Sequence, residues 1–395
     1  MRRNLLSVLL TLLVLLLIEG APIAAQSDVT ILDALPGCGF TEAYDDISGL
    51  QVGAVIYNFE TGEGCVENLD TTFPVASVPK VFVSAAYQQM VVQGMLSPQQ
   101  TIRFSEDYLM GGGGDCLNDG DLGRDISLRE LNEIMITCSD NAATWMLMDL
   151  MGWDYVDYYV DSIGLTSVGP VVPYAEVDRA KLAIIDPLWS QVPAAFASRF
   201  MRRRQTEGLD TYFSTAPRFS GRQYREASQI YFDTYDYNTA TPRDIARFFA
   251  RLRDDYRNDF GANGQIAASV INTMLETQRQ YSTQAFPGTV YVGSKNGFDT
   301  GLVAEVNFTL HSLAGFDRTP AAMAIIFTRQ TNLLVENVQQ PRQSEGVLNQ
   351  LLRDLSPRIV DILYPDFTPP PVTPNWSLNT VHIGLPEAVN NCWSN

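Results

Sequence analysis

The sequence predicts an α/β fold of the α+β kind: an antiparallel sheet built from both ends of the chain, flanked by helices, with an all-helical lobe between the two sets of strands. Three observations predict it. Strand-like segments lie near the start of the chain and again near its end. Helical periodicity dominates the stretch between them. No internal repeat divides the 395 residues, a length that allows one large domain or two.

The elements follow in order. Gln51 to Asp70 reads as a hairpin, with Val52-Gly53-Ala54-Val55-Ile56-Tyr57 as the first strand, Glu60-Thr61-Gly62 as the turn and Cys65-Val66 opening the return. Ser77 to Gln93 reads as a helix with Val81, Ala85 and Met90 on its apolar side and Pro79 in the tolerant first turn. A loop runs through Gly111–Gly114 and on to Gly123. Ser127, with Glu130 three residues on, caps the next helix, along which Leu128, Leu131 and Ile134 recur at helical spacing. Asn141 to Leu150 and Tyr155 to Ile163 are further helices. Thr241-Pro242 is a cap and first residue for a helix reaching about Arg253. Val290–Ser294, Leu302–His311 and Ala321–Thr328 read as strands, and Ser344 to Leu363 as a closing helix. Pro365 to Asn375 is proline-rich and extended.

Composition narrows the function. The residues are 46% apolar and 18% charged, ordinary for a globular chain. A net charge of −18 argues against nucleic acid, because phosphates are met by basic patches and only Arg202-Arg203-Arg204 forms a basic run. Such runs are usually solvated faces. Arg2 and Arg3 precede the apolar stretch Leu5–Ile18, and Ile23-Ala24-Ala25 offers a processing site, so residues 1–25 read as a signal peptide. The stretch is shorter than the ~20 residues of a membrane span. The mature protein is expected to be exported, periplasmic or extracellular, with no stable membrane span. Cys38, Cys65, Cys116, Cys138 and Cys392 are an odd set that leaves at least one thiol unpaired within the chain. Export permits disulfides. Cys38 with Cys65 and Cys116 with Cys138 is one reading, and buried free cysteines is the other. Only His311 and His382 exist, both in apolar contexts, and no cysteine or histidine pair has metal spacing. No metal or organic cofactor is expected, and any serine chemistry must use a base other than histidine.

Three short motifs carry chemistry. In Ser77-Val78-Pro79-Lys80 a helical backbone puts the lysine amine on the face of a serine hydroxyl that needs a base to become nucleophilic. Alone, the motif equally describes a solvated lysine beside a helix cap. In Ser139-Asp140-Asn141 a second hydroxyl could relay a proton to a leaving nitrogen, the Asn141 amide could hold Lys80 and a substrate carbonyl, and Asp140 could brace the turn. Alone, it is equally a capping turn. In Lys295-Asn296-Gly297 the lysine could attract a substrate carboxylate, while Gly293 and Gly297 allow close approach to the strand. Alone, it is equally a hairpin turn.

Together, in this order, the motifs resemble the set found in class A β-lactamases and related penicillin-binding proteins. The resemblance extends through Ser127-Leu128-Arg129-Glu130-Leu131, Ala142-Ala143 and Gly164-Leu165, through Thr241-Pro242-Arg243-Asp244, and through Phe286-Pro287-Gly288, covering roughly Leu35 to Leu363. It implies a β-lactamase/transpeptidase-like fold, with residues 30–364 as a catalytic domain interrupted by an insertion at about 178–238 and followed by a tail at 365–395. It implies Ser77 as nucleophile, Lys80 as its base and Ser139 as proton donor to the leaving nitrogen. Asn141, Lys295, Asn296, Gly297 and Phe298 would bind substrate, with the N–H groups of Ser77 and Phe298 as an oxyanion hole. The family's deacylating glutamate matches Glu176 by distance after Ser139 and Glu226 by distance before Pro242, and Glu176 is favoured. Two departures stand out. The middle residue of the third motif is Asn296 where the family usually has Thr or Ser, and neither glutamate is followed by the family's asparagine. The implied partner is a small-molecule β-lactam or a peptidoglycan stem. Three functions are open: β-lactam hydrolysis, a D-Ala-D-Ala peptidase or transpeptidase activity, and a non-catalytic cell-wall-binding module.

Overall fold

The computed structural model describes residues 30–110, 116–207, 219–310, 318–331 and 341–366. The expected signal peptide, both histidines, Cys392 and most of the proline-rich tail lie outside the described residues.

A five-stranded sheet has the order β2-β1-β9-β8-β7. Its strands are β1 (Leu50–Asn58), β2 (Gly64–Glu67), β7 (Tyr291–Asp299), β8 (Leu302–Leu310) and β9 (Ala322–Gln330). Every pairing is antiparallel, and β1 from the first end of the chain pairs with β9 from the other, Val52 opposite Thr328 and Ile56 opposite Ala324. Two-residue and three-residue ladders join β3 (Phe73–Pro74) to β6 (Thr239–Ala240) and β4 (Thr101–Arg103) to β5 (Asp125–Ser127).

Eleven α-helices occur among the described residues: α1 (Phe40–Ala43), α2 (Lys80–Val92), α3 (Leu128–Thr137), α4 (Asn141–Met151), α5 (Trp153–Ser162), α6 (Tyr174–Ile185), α7 (Ala194–Glu207), α8 (Gly221–Thr234), α9 (Pro242–Asn258), α10 (Ala262–Leu275) and α11 (Pro341–Leu363). The sheet separates two cores by strand alternation. Val52, Ala54 and Ile56 of β1 pack with Leu348, Leu352, Leu355 and Ile359 of α11 on one face. Val55 and Tyr57 pack toward α2, α9 and α10 on the other, where Phe82, Phe248, Val270 and Phe308 fill the largest core. Helices α6 to α8 have a small core of their own around Leu182, Trp189, Phe200 and Phe219.

The caps expected from sequence are made. Ser127 Oγ accepts from Glu130 N at 3.2 Å, and Thr241 Oγ1 accepts from Asp244 N at 3.1 Å with Pro242 as the first helical residue. Cys38–Cys65 and Cys116–Cys138 are both bonded. Three expectations are corrected. The basic run is not an open face at Arg202, which is buried and donates to Met110 O and Asp119 at 2.8 Å each, tying α7 to the helical lobe. Helix α10 was not anticipated, because Gly261-Ala262-Asn263-Gly264 reads as a turn although Ile266, Val270, Ile271 and Met274 follow at helical spacing. Lys295-Asn296-Gly297 is not a hairpin turn. It lies within β7, and the chain reverses at Thr300–Gly301, where Gly301 has φ of 73°.

Candidate active site

Ser77 lies half-buried in the turn between β3 and α2. That turn is held from both sides. Val75 N donates to Asn238 O at 3.0 Å, and Lys80 N donates to Ser77 O at 3.3 Å. Ala76, beside the serine, has φ of 46°. Only four non-glycine residues among those described have positive φ, and three of them, Ala76, Ser139 and Asn238, belong to this site or its supports. Such residues cost about 1–3 kcal/mol each and persist only where the surroundings over-determine them.

Lys80 opens α2 one turn after Ser77 and turns inward. Its Nζ donates to Ser139 O at 2.5 Å, Ser139 Oγ at 3.2 Å and Asn141 Oδ1 at 2.7 Å. Burial pushes its pKa down to about 7, against the opposing pull of the Asp140 carboxylate. A lysine so placed is about half unprotonated near neutral pH, whereas a solvated lysine is almost wholly protonated. Asp140 braces the motif as the sequence suggests. It is buried at the start of α4, where Oδ1 accepts from Ala143 N at 2.8 Å and Oδ2 from Leu117 N at 2.9 Å. Thus Ser139, with φ of 57°, is fixed on one side by the α4 cap and on the other by the Cys116–Cys138 bond, which ends one residue before it.

Strand β7 forms the opposite wall. It is an edge strand, paired only with β8. Lys295 Nζ donates to Ser139 Oγ at 2.9 Å and to Asn296 O at 2.6 Å, and burial, with Lys80 as a second cause, holds its pKa well below the usual lysine range. Two residues along the same face, Gly297 packs on the Ser77 turn. A Cβ there would stand 2.4 Å from Val75 O and 2.7 Å from Ser77 N. Only glycine admits this approach, which brings the backbone of β7 beside the N–H of Ser77. Phe298 follows, partly exposed, its ring edge-on to Tyr281. The structure therefore brings Ser77, Lys80, Ser139, Asn141, Lys295 and Gly297 together from three elements.

Asn296 points off this line. Its Nδ2 donates to Gln280 Oε1 at 2.6 Å, and Lys295 Nζ stands 3.5 Å from its Oδ1. The segment carrying Gln280 is held by Glu305, a buried carboxylate that accepts from Tyr281 N at 3.1 Å, Ser282 N at 2.9 Å and Ser282 Oγ at 2.5 Å. Where a hydroxyl is usual, this chain has an amide oriented by a second amide.

The two glutamates occupy different settings. Glu176 lies in the first turn of α6, half-buried and paired with Arg179 in the same helix. Glu226 lies on α8 and pairs with Arg222 at 2.9 Å, four residues away, a partly solvated helix pair of the ordinary kind. The segment before α6 is tied to the Ser77 turn through Asn238. Its Oδ1 accepts from Val172 N at 3.1 Å, its Nδ2 donates to Val172 O at 3.0 Å, and its own backbone carries Val75.

The pattern of the β-lactamase enzyme family matches residues 40–356. The chain belongs to that family. A β-lactamase from Sphaerobacter thermophilus superposes on this family member with a TM-score of 0.54 at 20% identity, over 87% of this chain and 100% of that one. An ancestral class A β-lactamase gives 0.52 at 17%, over 81% and 98%. PBP-A, solved as an acyl-enzyme with penicillin G, gives 0.52 at 15%, over 84% and 96%. At these identities the likeness is one of fold. No curated protein matches the chain. Family and fold support a serine hydrolase of the β-lactamase superfamily. No helix among the described residues is long and apolar enough to cross a membrane.

Several residues around this candidate site were not read from sequence: Gln280, Glu305 and Asn238, and, at the end of β7, the trio Tyr174, Lys181 and Asp299. A signal for one of them was present. Arginine supplies 24 of the 27 basic residues, and the only lysines are Lys80, Lys181 and Lys295. All three are buried, at 5%, 0% and 1% exposure.

Proposed function

We propose that the protein is a serine β-lactamase-like hydrolase in which a β-lactam amide acylates Ser77 and water then releases the product. The observation that carries this reading is the placement of Lys80: buried, held near neutral pKa, and hydrogen-bonded to both Ser139 and Asn141 one turn from Ser77. Neutral Lys80 takes the Ser77 proton as Oγ attacks the lactam carbonyl carbon. The developing oxyanion lies between the N–H groups of Ser77 and Phe298, which the Gly297 approach sets side by side. As the C–N bond breaks, Ser139 gives its proton to the leaving nitrogen and is reprotonated by Lys80, which passes on the proton it took from Ser77. Lys295 and Asn296 receive the substrate carboxylate, the amide standing in for a hydroxyl. Glu176 then activates water for deacylation.

A second reading has its own observation. Glu176 is engaged by Arg179 in its own helix. If that pairing persists in the acyl-enzyme, Ser77 acylates but releases slowly, as in a D-Ala-D-Ala peptidase or transpeptidase. Turnover of a chromogenic cephalosporin by the parent and by Ser77→Ala, with mass spectrometry of the parent, separates the two. Sustained turnover lost in Ser77→Ala supports the hydrolase, and a stoichiometric adduct without turnover supports the second reading. Neither signal from the parent would remove both. We place the mature chain outside the cytoplasm on its N-terminal residues 1–25.

A further inference from the structure

Lysine is nearly absent from this chain, and two of its three lysines stand in the motifs described above. The third, Lys181, lies on α6 and meets the last residue of β7, the strand that carries Lys295. Its Nζ bonds both carboxylate oxygens of Asp299, at 2.7 and 2.6 Å, with side-chain exposures of 0% and 4%. Tyr174 OH donates to the same carboxylate at 2.5 Å. The ammonium is enclosed by the rings of Tyr174, Tyr224, Tyr231 and Phe232, at 5.6, 5.6, 5.7 and 4.7 Å from their centroids. These groups come from α6 and α8, so two inserted helices converge on one cation, and that cation is spent on one residue of the sheet.

Asp299 is the last residue of β7 and lies on the face that carries Lys295 and Gly297. Phe298 directly precedes it. Its Oδ1 also accepts from Thr300 N at 2.6 Å, which fixes the turn into β8. Because β7 is an edge strand, its outer side has no ladder to hold its end. The clasp supplies that restraint from the insertion. Helix α8 fastens to the same end of the sheet, where Arg329 meets Asp233 at 2.5 Å and Gln229 donates to Thr331 O.

Stability alone does not account for the pair. A buried ion pair is commonly matched or bettered by apolar residues of similar volume, and its best-attested use is to specify one register among several. Arginine, used at every basic position but three, is a planar fork, whereas this position holds a compact ammonium between four rings and the carboxylates of Asp299 and Asp178. We propose that Lys181 is a positioning residue for the acyl transfer described above: through Asp299 it fixes the end of β7, and with it the Phe298 N–H, against the Ser77 turn. The inference rests on Ser77 acylation.

The test is the acylation rate constant and the pre-acylation dissociation constant, by stopped flow with a chromogenic cephalosporin, for the parent, Lys181→Met, Asp299→Asn and the double variant. Lys181→Met leaves the buried carboxylates of Asp299 and Asp178 without their cation, and the double variant removes the first of them. The expected result is a double variant that melts nearer the parent than Lys181→Met but acylates about 10- to 100-fold more slowly, as displacement of reacting groups by up to ~1 Å requires, with the dissociation constant little changed. Phe200→Leu, in the core that α6 to α8 share and outside the hydrogen bonds and cation–ring contacts of the clasp, is the control and acylates at the parent rate. A double variant that acylates like the parent, or a control that slows as much as Lys181→Met, overturns the proposal. A parent that acylates nowhere overturns the reading beneath it instead.

Discussion

Gly297→Ala isolates the contact on which the site geometry depends. The added Cβ would stand 2.4 Å from Val75 O, 2.7 Å from Ser77 N and 3.1 Å from the Ala76 Cβ. Ordinary carbon contacts begin at roughly 3.5 Å, so strand and turn must part by about 1 Å. The nearest two atoms are backbone, and Val75 is already held by Asn238, so no flexible side chain can give way. A displacement of that size between reacting groups costs about 100-fold in rate, or roughly 3 kcal/mol of transition-state stabilisation. Overpacking of this kind also lowers stability by about 1–3 kcal/mol. Single-turnover acylation by a chromogenic cephalosporin, below the variant's melting temperature, measures the first effect apart from the second. A Gly297→Ala protein that folds and acylates at the parent rate would show that β7 does not set the nucleophile turn.

Three further outcomes follow from the same geometry. Lys80→Ala should slow acylation by about 100- to 10,000-fold while leaving the pre-acylation dissociation constant nearly unchanged; unchanged kinetics would make Lys80 a structural lysine. Acylation by the parent should rise with pH through about 7 and level off above it. Lys80 acts as a base only when unprotonated, and burial puts that transition near 7, so a flat profile from pH 5.5 to 8.5 contradicts the assignment. Glu176→Ala should still acylate at Ser77 but release product far more slowly, while Glu226→Ala, whose carboxylate sits in a helix pair with Arg222, should behave as the parent. The reverse pattern moves the base to Glu226, and no effect from either favours the peptidase-like reading.

What the sequence made legible was local. The apolar, β-rich run Val52–Tyr57, the caps at Ser127 and Thr241, and the spacing of Ser77 to Lys80 each depend on residues a few positions apart, and each appears in the structure. The lysine that meets Ser139 and Asn141 follows from putting three such local patterns in one fold. What was not legible depends on long-range packing. Gln280 bonds Asn296 only because buried Glu305, on a neighbouring strand, holds the segment between them. Helices α6, α7 and α8 were not read as helices, since their apolar residues serve a small separate core rather than a continuous stripe. Lys295-Asn296-Gly297 looks like a turn by composition, and pairing with Val306, Glu305 and Ala304 makes it a strand. Asp299 could have been found by counting two residues along the face from Gly297, and Lys181 by counting lysines.

The central claim is that Ser77 is the nucleophile, and peptide mapping tests it most directly. The protein is incubated with a labelled penicillin, quenched in acid, digested, and the modified peptide is sequenced by mass spectrometry. The account predicts one acyl group per chain, on the Ser77 hydroxyl, absent from Ser77→Ala and formed slowly in Lys80→Ala. An adduct on Ser139, or no adduct on the folded parent at any concentration, would contradict it.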